Sequence, residues 1–262
     1  MNRIDKKFRE LKKEKKKAFI AYITAGDPNL ATTGKLVIAL EKSGADIIEL
    51  GIPFSDPLAD GPTIQAASQR ALKSGANLKK IFKTVSAIRK KTDVPLVFMT
   101  YCNPVLRYGL PGFFKACGRC GVDGVIIPDL PAEEAGEIIK LGRKNGIATI
   151  FLAAPTSTRK RIINIARNSN GFIYYVSLTG VTGARSKLPA EFKSKVKLIK
   201  SVTDKPVAVG FGVSSAAQAK EIAGAADGVI VGSAIVKIIG EKNIIPRVSR
   251  FARILAKAIH SV

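Results

Sequence analysis

Hydrophobic positions along the chain follow two alternating patterns. Short apolar runs, many of them β-branched, recur at Phe19–Ile23, Asp46–Leu50, Leu96–Tyr101, Gly124–Ile127, Ala148–Leu152, Phe172–Val176, Val207–Val209 and Gly228–Val231. Most are continuously apolar, as expected of strands buried on both faces in a parallel sheet. Between them apolar residues return at helical spacing, as in Leu36, Val37 and Leu40, or Ile81, Val85 and Ile88. Eight strand–helix units in 262 residues predict an α/β fold, a (β/α)8 TIM barrel. The competing architecture is a doubly wound open sheet. It usually has fewer strands, and its glycine-rich first turn is not matched by Thr24-Ala25-Gly26-Asp27-Pro28. Ile4, Phe8 and Leu11 predict an extra N-terminal helix, coated by the basic run Lys12–Lys17. No Pro/Ser/Gly-rich linker or shift in composition divides the chain, so residues 1–262 are expected to form a single domain.

Composition narrows the class. With 46% hydrophobic and 24% charged residues, the chain belongs with folded domains and not with disordered ones. No run approaches the roughly 18 apolar residues of a membrane helix, and Met1–Lys17 has no apolar segment of signal-peptide type. Three cysteines argue against a disulfide framework. The expectation is a cytoplasmic protein. Forty-three Lys+Arg against 20 Asp+Glu give a net charge of +23, which favours anions nearby. The basic residues are nevertheless spread from Lys6 to Lys257, not gathered with aromatics into a stripe, and there is no Trp. The charge reads as a compositional bias on exposed helix faces, with neither nucleic acid nor membrane expected as a partner.

Two strand-to-helix connections are long for this architecture, Gly51–Pro62 and Ser177 to Ala190. In a (β/α)8 barrel both fall on the C-terminal face, where active sites are built. The first follows Glu49, a carboxylate one residue from the end of an apolar strand. Loss of water there raises its pKa and suits it to acid–base work near neutral pH. Because Ile48 and Leu50 would pack outward, Glu49 is expected to point into the barrel mouth. The competing expectation is a structural ion pair with Lys or Arg. Asp56 and Asp60 lie on the loop. Asp60 can reach back over Glu49, giving two carboxylates in different environments. Asp56 can equally cap the next helix.

A second set of features consists of small-residue turns late in the chain: Gly180–Ala184, Gly210–Ser214 and Gly232-Ser233. Glycine lets backbone N–H groups approach an anion, and a phosphate site after the last two strands recurs in such barrels. Ser177–Ala190, rich in Gly, Ser and Thr, has the composition of a lid. His260 is the only histidine and lies two residues from the C-terminus, which argues against histidine catalysis. Cys117 and Cys120 have CxxC spacing but no second pair, and read as packing residues of a helix. No metal site and no PLP- or NAD-binding run is indicated.

These residues carry a specific resemblance. Phe19–Pro28, Glu49–Gln65 (with ELGIPFSDPLADGPTIQ), Asp123–Glu134, Gly180–Arg185, Gly210–Ser214 and Gly232-Ser233 together resemble the tryptophan synthase alpha-chain family, in family order over essentially the whole chain. The resemblance implies a barrel with no cofactor of its own, which catalyses retro-aldol cleavage of indole-3-glycerol phosphate to indole and glyceraldehyde 3-phosphate. It implies an αββα complex in which a PLP-dependent beta chain receives the indole through a tunnel. By position, Glu49 resembles the acid–base glutamate and Asp60 the catalytic aspartate. Gly183, Gly212, Gly232 and Ser233 match the phosphate turns. Tyr22, Thr100, Tyr101, Ile126, Asp129, Leu152, Tyr174, Val176 and Phe211 fall where the family lines its indole pocket, and Thr182 falls on the lid. Tyr22 adds a hydroxyl where phenylalanine would also serve, and Pro128 is bulky beside Asp129. Three alternatives remain on the residues alone. One is another phosphate-binding barrel of tryptophan or histidine biosynthesis, which would want a catalytic Lys or a different Asp pair. Another is a non-catalytic partner that only activates a beta chain. The third is a basic nucleic-acid binder.

Overall fold

The structure, a computed structural model, describes residues 1–176, 191–210 and 212–262. Its elements run α1 (Arg3–Lys13), β1 (Ala18–Thr24), α2 (Leu30–Lys42), β2 (Ile47–Gly51), α3 (Pro62–Lys73), α4 (Leu78–Arg89), β3 (Leu96–Met99), α5 (Cys102–Tyr108), α6 (Leu110–Cys120), β4 (Gly124–Ile126) and α7 (Gly136–Lys144). They continue with β5 (Ala148–Ile150), β6 (Leu152–Ala153), α8 (Arg159–Asn168), β7 (Ile173–Val176), α9 (Phe192–Lys200), β8 (Val207–Gly210), α10 (Ala216–Ala223), β9 (Gly228–Val231), α11 (Ser233–Ile239) and α12 (Ile244–His260). The strands pair in parallel in the order β5-β4-β3-β2-β1-β9-β8-β7-β6. Only Phe151 separates the two ends of that order, so the sheet curls into a nearly closed barrel. The expected strand Ala148–Leu152 is thus two pieces broken at Phe151, one piece pairing with β4 and the other with β7. The expected strand Leu96–Tyr101 ends at Met99, because Tyr101 already serves as the N-cap of α5.

Burial follows the alternation of the strands. Ile48 and Leu50 belong to the apolar layer between barrel and helices, together with Leu36, Leu40 and Ile88. Ile20, Ile47, Val97, Ile150 and Ile230 fill the barrel interior instead. Ile4, Phe8 and Leu11 of α1 join that interior cluster and plug its N-terminal end. The rings of Phe8 and Phe172 lie 5.8 Å apart. A side chain at Gly124 would meet Ile4 at 2.9 Å, so glycine there admits the plug. Helix α1 stops at Lys13, so Lys15–Lys17 lie beyond it and do not coat it as expected.

Three aspartates at the N-terminal ends of strands repeat one bond. Asp46, Asp123 and Asp227 each directly precede a strand (β2, β4 and β9), and each accepts a backbone N–H from the strand before it in sequence. The donors are Phe19 (2.8 Å), Leu96 (2.9 Å) and Val207 (3.0 Å). Each carboxylate also holds a basic side chain: His260 for Asp46, Arg3 and Arg89 for Asp123, and Lys200 for Asp227. The only histidine is therefore tied up at the face opposite the strand C-termini. Charge-assisted bonds of this kind contribute about 1.5–3 kcal/mol each. They fix the strands at one end of the barrel and leave the other end free to carry loops. Cys117 and Cys120 are buried packing residues of α6. Among the described residues, no helix is long and apolar enough to cross a membrane.

Candidate active site

A cavity of about 580 Å³ opens at the C-terminal ends of the strands. Glu49 lies in its wall and is fully buried. Neither Glu49 carboxylate oxygen has a hydrogen-bond partner among the described residues. The described residues thus form no ion pair with Glu49, and the group lies in the wall of the cavity. Removal from water, with Asp60 nearby, pushes its pKa up to about 8. Asp60 directly precedes Gly61, the N-cap of α3, and lines the same cavity. Its pKa is pushed up to about 6 by burial, held back by the neighbouring Tyr101 phenol. The two environments push the pair's titrations apart, with Glu49 the group that favours holding a proton and Asp60 the one that favours ionisation. Asp56 is exposed, accepts a bond from Ser55 Oγ (2.6 Å) and does not cap α3, whose N-cap Gly61 has no side-chain bond.

Two tyrosines reach across the interior. Tyr22 on β1 sits opposite Glu49 in the strand register, and its hydroxyl lies over the backbone of Gly51. A Cβ on Gly51 would fall 2.0 Å from that oxygen. Tyr174 on β7 leans in the same way over Gly210, where a Cβ would fall 2.6 Å from its hydroxyl. These strand-end glycines make room for phenols. For Gly210 this differs from the anion-turn role the sequence suggested. Burial raises the pKa of both tyrosines well above the ordinary value, with the acidic pair adding to it.

The other expected site residues divide. Asp129, Leu152, Val176, Gly212, Gly232 and Ser233 line the cavity beside Tyr22 and Tyr174. Thr100, Tyr101 and Ile126 are not part of its described wall. Thr100 is buried with its hydroxyl on the Tyr101 carbonyl (3.4 Å), because β3 has already ended there. Ile126 packs in the barrel interior. Tyr101 touches the site only through its phenol. Asp129 does more than line the cavity: both its oxygens accept the Cys102 N–H at the start of α5 (3.0 and 3.1 Å). Thr182, Gly183 and Phe211 lie outside the described residues, as does the expected lid.

Sequence reasoning missed Met99, Ile64, Thr156, Ser157 and Arg161, all in the wall. Arg161 is the one cation in the wall among the described residues, and its nearest acid is Glu133 at 4.0 Å. The signal was present in Thr156-Ser157-Thr158, where Thr158 caps α8 by accepting the Arg161 N–H (3.3 Å).

Comparison with known proteins agrees with this geometry. Residues 8–259 match the family model described as tryptophan synthase alpha chain. A tryptophan synthase alpha chain from Geotalea daltonii is 54% identical over 237 residues, 90% of each chain. One from Clostridium kluyveri is 48% identical over 263 residues, covering 99% of this chain and 100% of that one. Among solved structures, tryptophan synthase subunit alpha from Legionella pneumophila superposes with a TM-score of 0.93 at 38% identity, covering 100% of both chains.

Proposed function

The chain belongs to the tryptophan synthase alpha-chain family, and from that premise we propose that Glu49 and Asp60 carry its reaction. The reaction is retro-aldol cleavage of indole-3-glycerol phosphate to indole and glyceraldehyde 3-phosphate. It needs a proton delivered to indole C3 and a proton removed from the hydroxyl that becomes the aldehyde. Neutral Glu49 supplies the first proton. The C3-protonated ring carries positive charge at its N–H, and the Asp60 carboxylate accepts that N–H and stabilises the charge. The Glu49 carboxylate then takes the hydroxyl proton, the C–C bond breaks, and its electron pair returns to the ring. Glu49 ends with the proton it began with, so the cycle closes without a net proton.

The supporting observation is the environment of Glu49. Glu49 is fully buried in the wall of a substrate-sized cavity, has no hydrogen-bond partner among the described residues, and is pushed by burial to a pKa of about 8. Tyr22, Leu152, Tyr174 and Val176 offer the indole an apolar wall. Gly232 and Ser233 stand at the start of α11, and Gly212 lies in the connection between β8 and α10, where backbone N–H groups suit the phosphate. Binding the phosphate there orients the reacting carbon against Glu49. Thr182, Gly183 and Phe211 complete the site by resemblance alone.

We further read residues 1–262 as one barrel domain, because β1 pairs with both β2 and β9 while α12 packs on α2 and α10. The chain would work in the cytoplasm, without a cofactor of its own, as the alpha subunit of an α2β2 assembly whose beta chain holds PLP. Mixing the chain with indole-3-glycerol phosphate should release indole. A tryptophan synthase beta chain should speed that release and co-elute with it at heterotetramer mass. No indole under either condition would overturn the reading in favour of a non-catalytic partner.

A further inference from the structure

Tyr101 is half of a linkage that no step above uses. Its phenol oxygen accepts the backbone N–H of Ala59 (3.0 Å), the residue before Asp60, and the phenol favours the ionised form of the Asp60 carboxyl. Its ring packs on Phe54 of the same loop, with centroids 5.4 Å apart. It thus grips the 52–61 loop at both ends, from a position outside that loop. Its own backbone is fixed in turn. Tyr101 is the N-cap residue of α5 but gives the helix no side-chain bond. The Asp129 carboxylate instead takes the N–H of Cys102, the next residue. A charged acceptor at a helix N-terminus is favourable in its own right, and here it sets the base from which the phenol reaches.

We propose that Tyr101 is the positioning residue for Asp60: its phenol pins the Ala59–Asp60 end of the loop and holds the carboxylate in the Glu49 cavity, with Asp129 anchoring the backbone behind it. The proposal rests on the assignment of Asp60 given above. A phenol beside a carboxylate favours the ionised form, so Tyr101 also favours a charged Asp60 where the indole N–H requires it. The other titratable groups that line the cavity with Asp60, among the described residues, are Glu49 from β2, Tyr22 from β1, Tyr174 from β7, Asp129 after β4 and Arg161 from α8. Asp56, on its own loop, is turned to solvent and to Ser55. Tyr101 differs from these in bonding directly to the backbone beside Asp60, through the Ala59 N–H.

Tyr101→Phe keeps the ring on Phe54 and removes only the phenol oxygen. In the indole-release assay, kcat should fall about tenfold with KM changed less than about threefold. The acid limb of the kcat/KM profile should move up by about half a pH unit or more, because the phenol that favours the ionised carboxylate is gone. In an Asp60→Asn background the same change should cost less than about twofold, as expected for two groups acting as a unit. Wild-type kcat, or a slower enzyme whose acid limb has not moved, would overturn the positioning role while Asp60→Asn remained impaired. Wild-type turnover in Asp60→Asn would instead remove the assignment beneath it.

Discussion

Glu49→Gln is expected to lower indole release by about 10²–10⁴-fold, roughly 3–5 kcal/mol of barrier. The amide preserves shape but can neither give a proton to C3 nor take one from the hydroxyl. Substrate affinity should survive, because the phosphate and the indole are held by other groups. The same substitution should stabilise the fold, and the sign follows from the raised pKa. A carboxyl whose pKa is about 8 folded and 4.5 unfolded binds more protons in the native state between those values. The pH-dependent penalty is therefore absent below pH 4.5, grows as pH rises, and is fully present above pH 8. The neutral amide escapes that penalty, so urea unfolding at pH 8 should show the variant more stable by roughly 2–4 kcal/mol. At pH 4 the two proteins should be about equal. A variant that is inactive and also less stable at pH 8 would point to a structural role for Glu49.

Asp60→Asn is the second large effect, again about 10²–10⁴-fold in turnover. It removes the negative charge that faces the protonated indole ring and leaves the loop backbone and the Tyr101–Ala59 bond in place. The cost should fall on kcat, with KM nearly unchanged, because the charge is needed after C3 is protonated and not before. Steady-state rates of indole formation across a range of substrate concentrations separate the two parameters. A raised KM at wild-type kcat would make Asp60 a binding group only.

Much of this was legible in the sequence. Continuous apolar runs announced parallel strands, and the position of Glu49 between Ile48 and Leu50 was enough to place it inside the barrel. Asp60 was readable from a long, proline- and glycine-shaped connection. What local pattern could not show was contact across the barrel. Nothing adjacent to Gly51 or Gly210 in sequence requires glycine there. The reason is a tyrosine hydroxyl arriving from a neighbouring strand. Thr100 and Ile126 were placed in the pocket by resemblance, yet Thr100 is buried past the end of β3 with its hydroxyl on the Tyr101 carbonyl, and Ile126 packs in the barrel interior. Arg161 escaped notice because one Arg at the start of a helix looks like any solvated charge until its loop folds over the cavity. The break at Phe151 depends on how the sheet bends, which periodicity does not encode.

Glu49 as a buried, proton-holding acid facing the cavity can be tested by labelling Glu side-chain carboxyls with ¹³C and following the signal missing from Glu49→Gln across pH. The account predicts a single Glu carboxyl that titrates near pH 8 and shifts when substrate analogue binds. A Glu49 signal that titrates near 4.5 and ignores the analogue would contradict it.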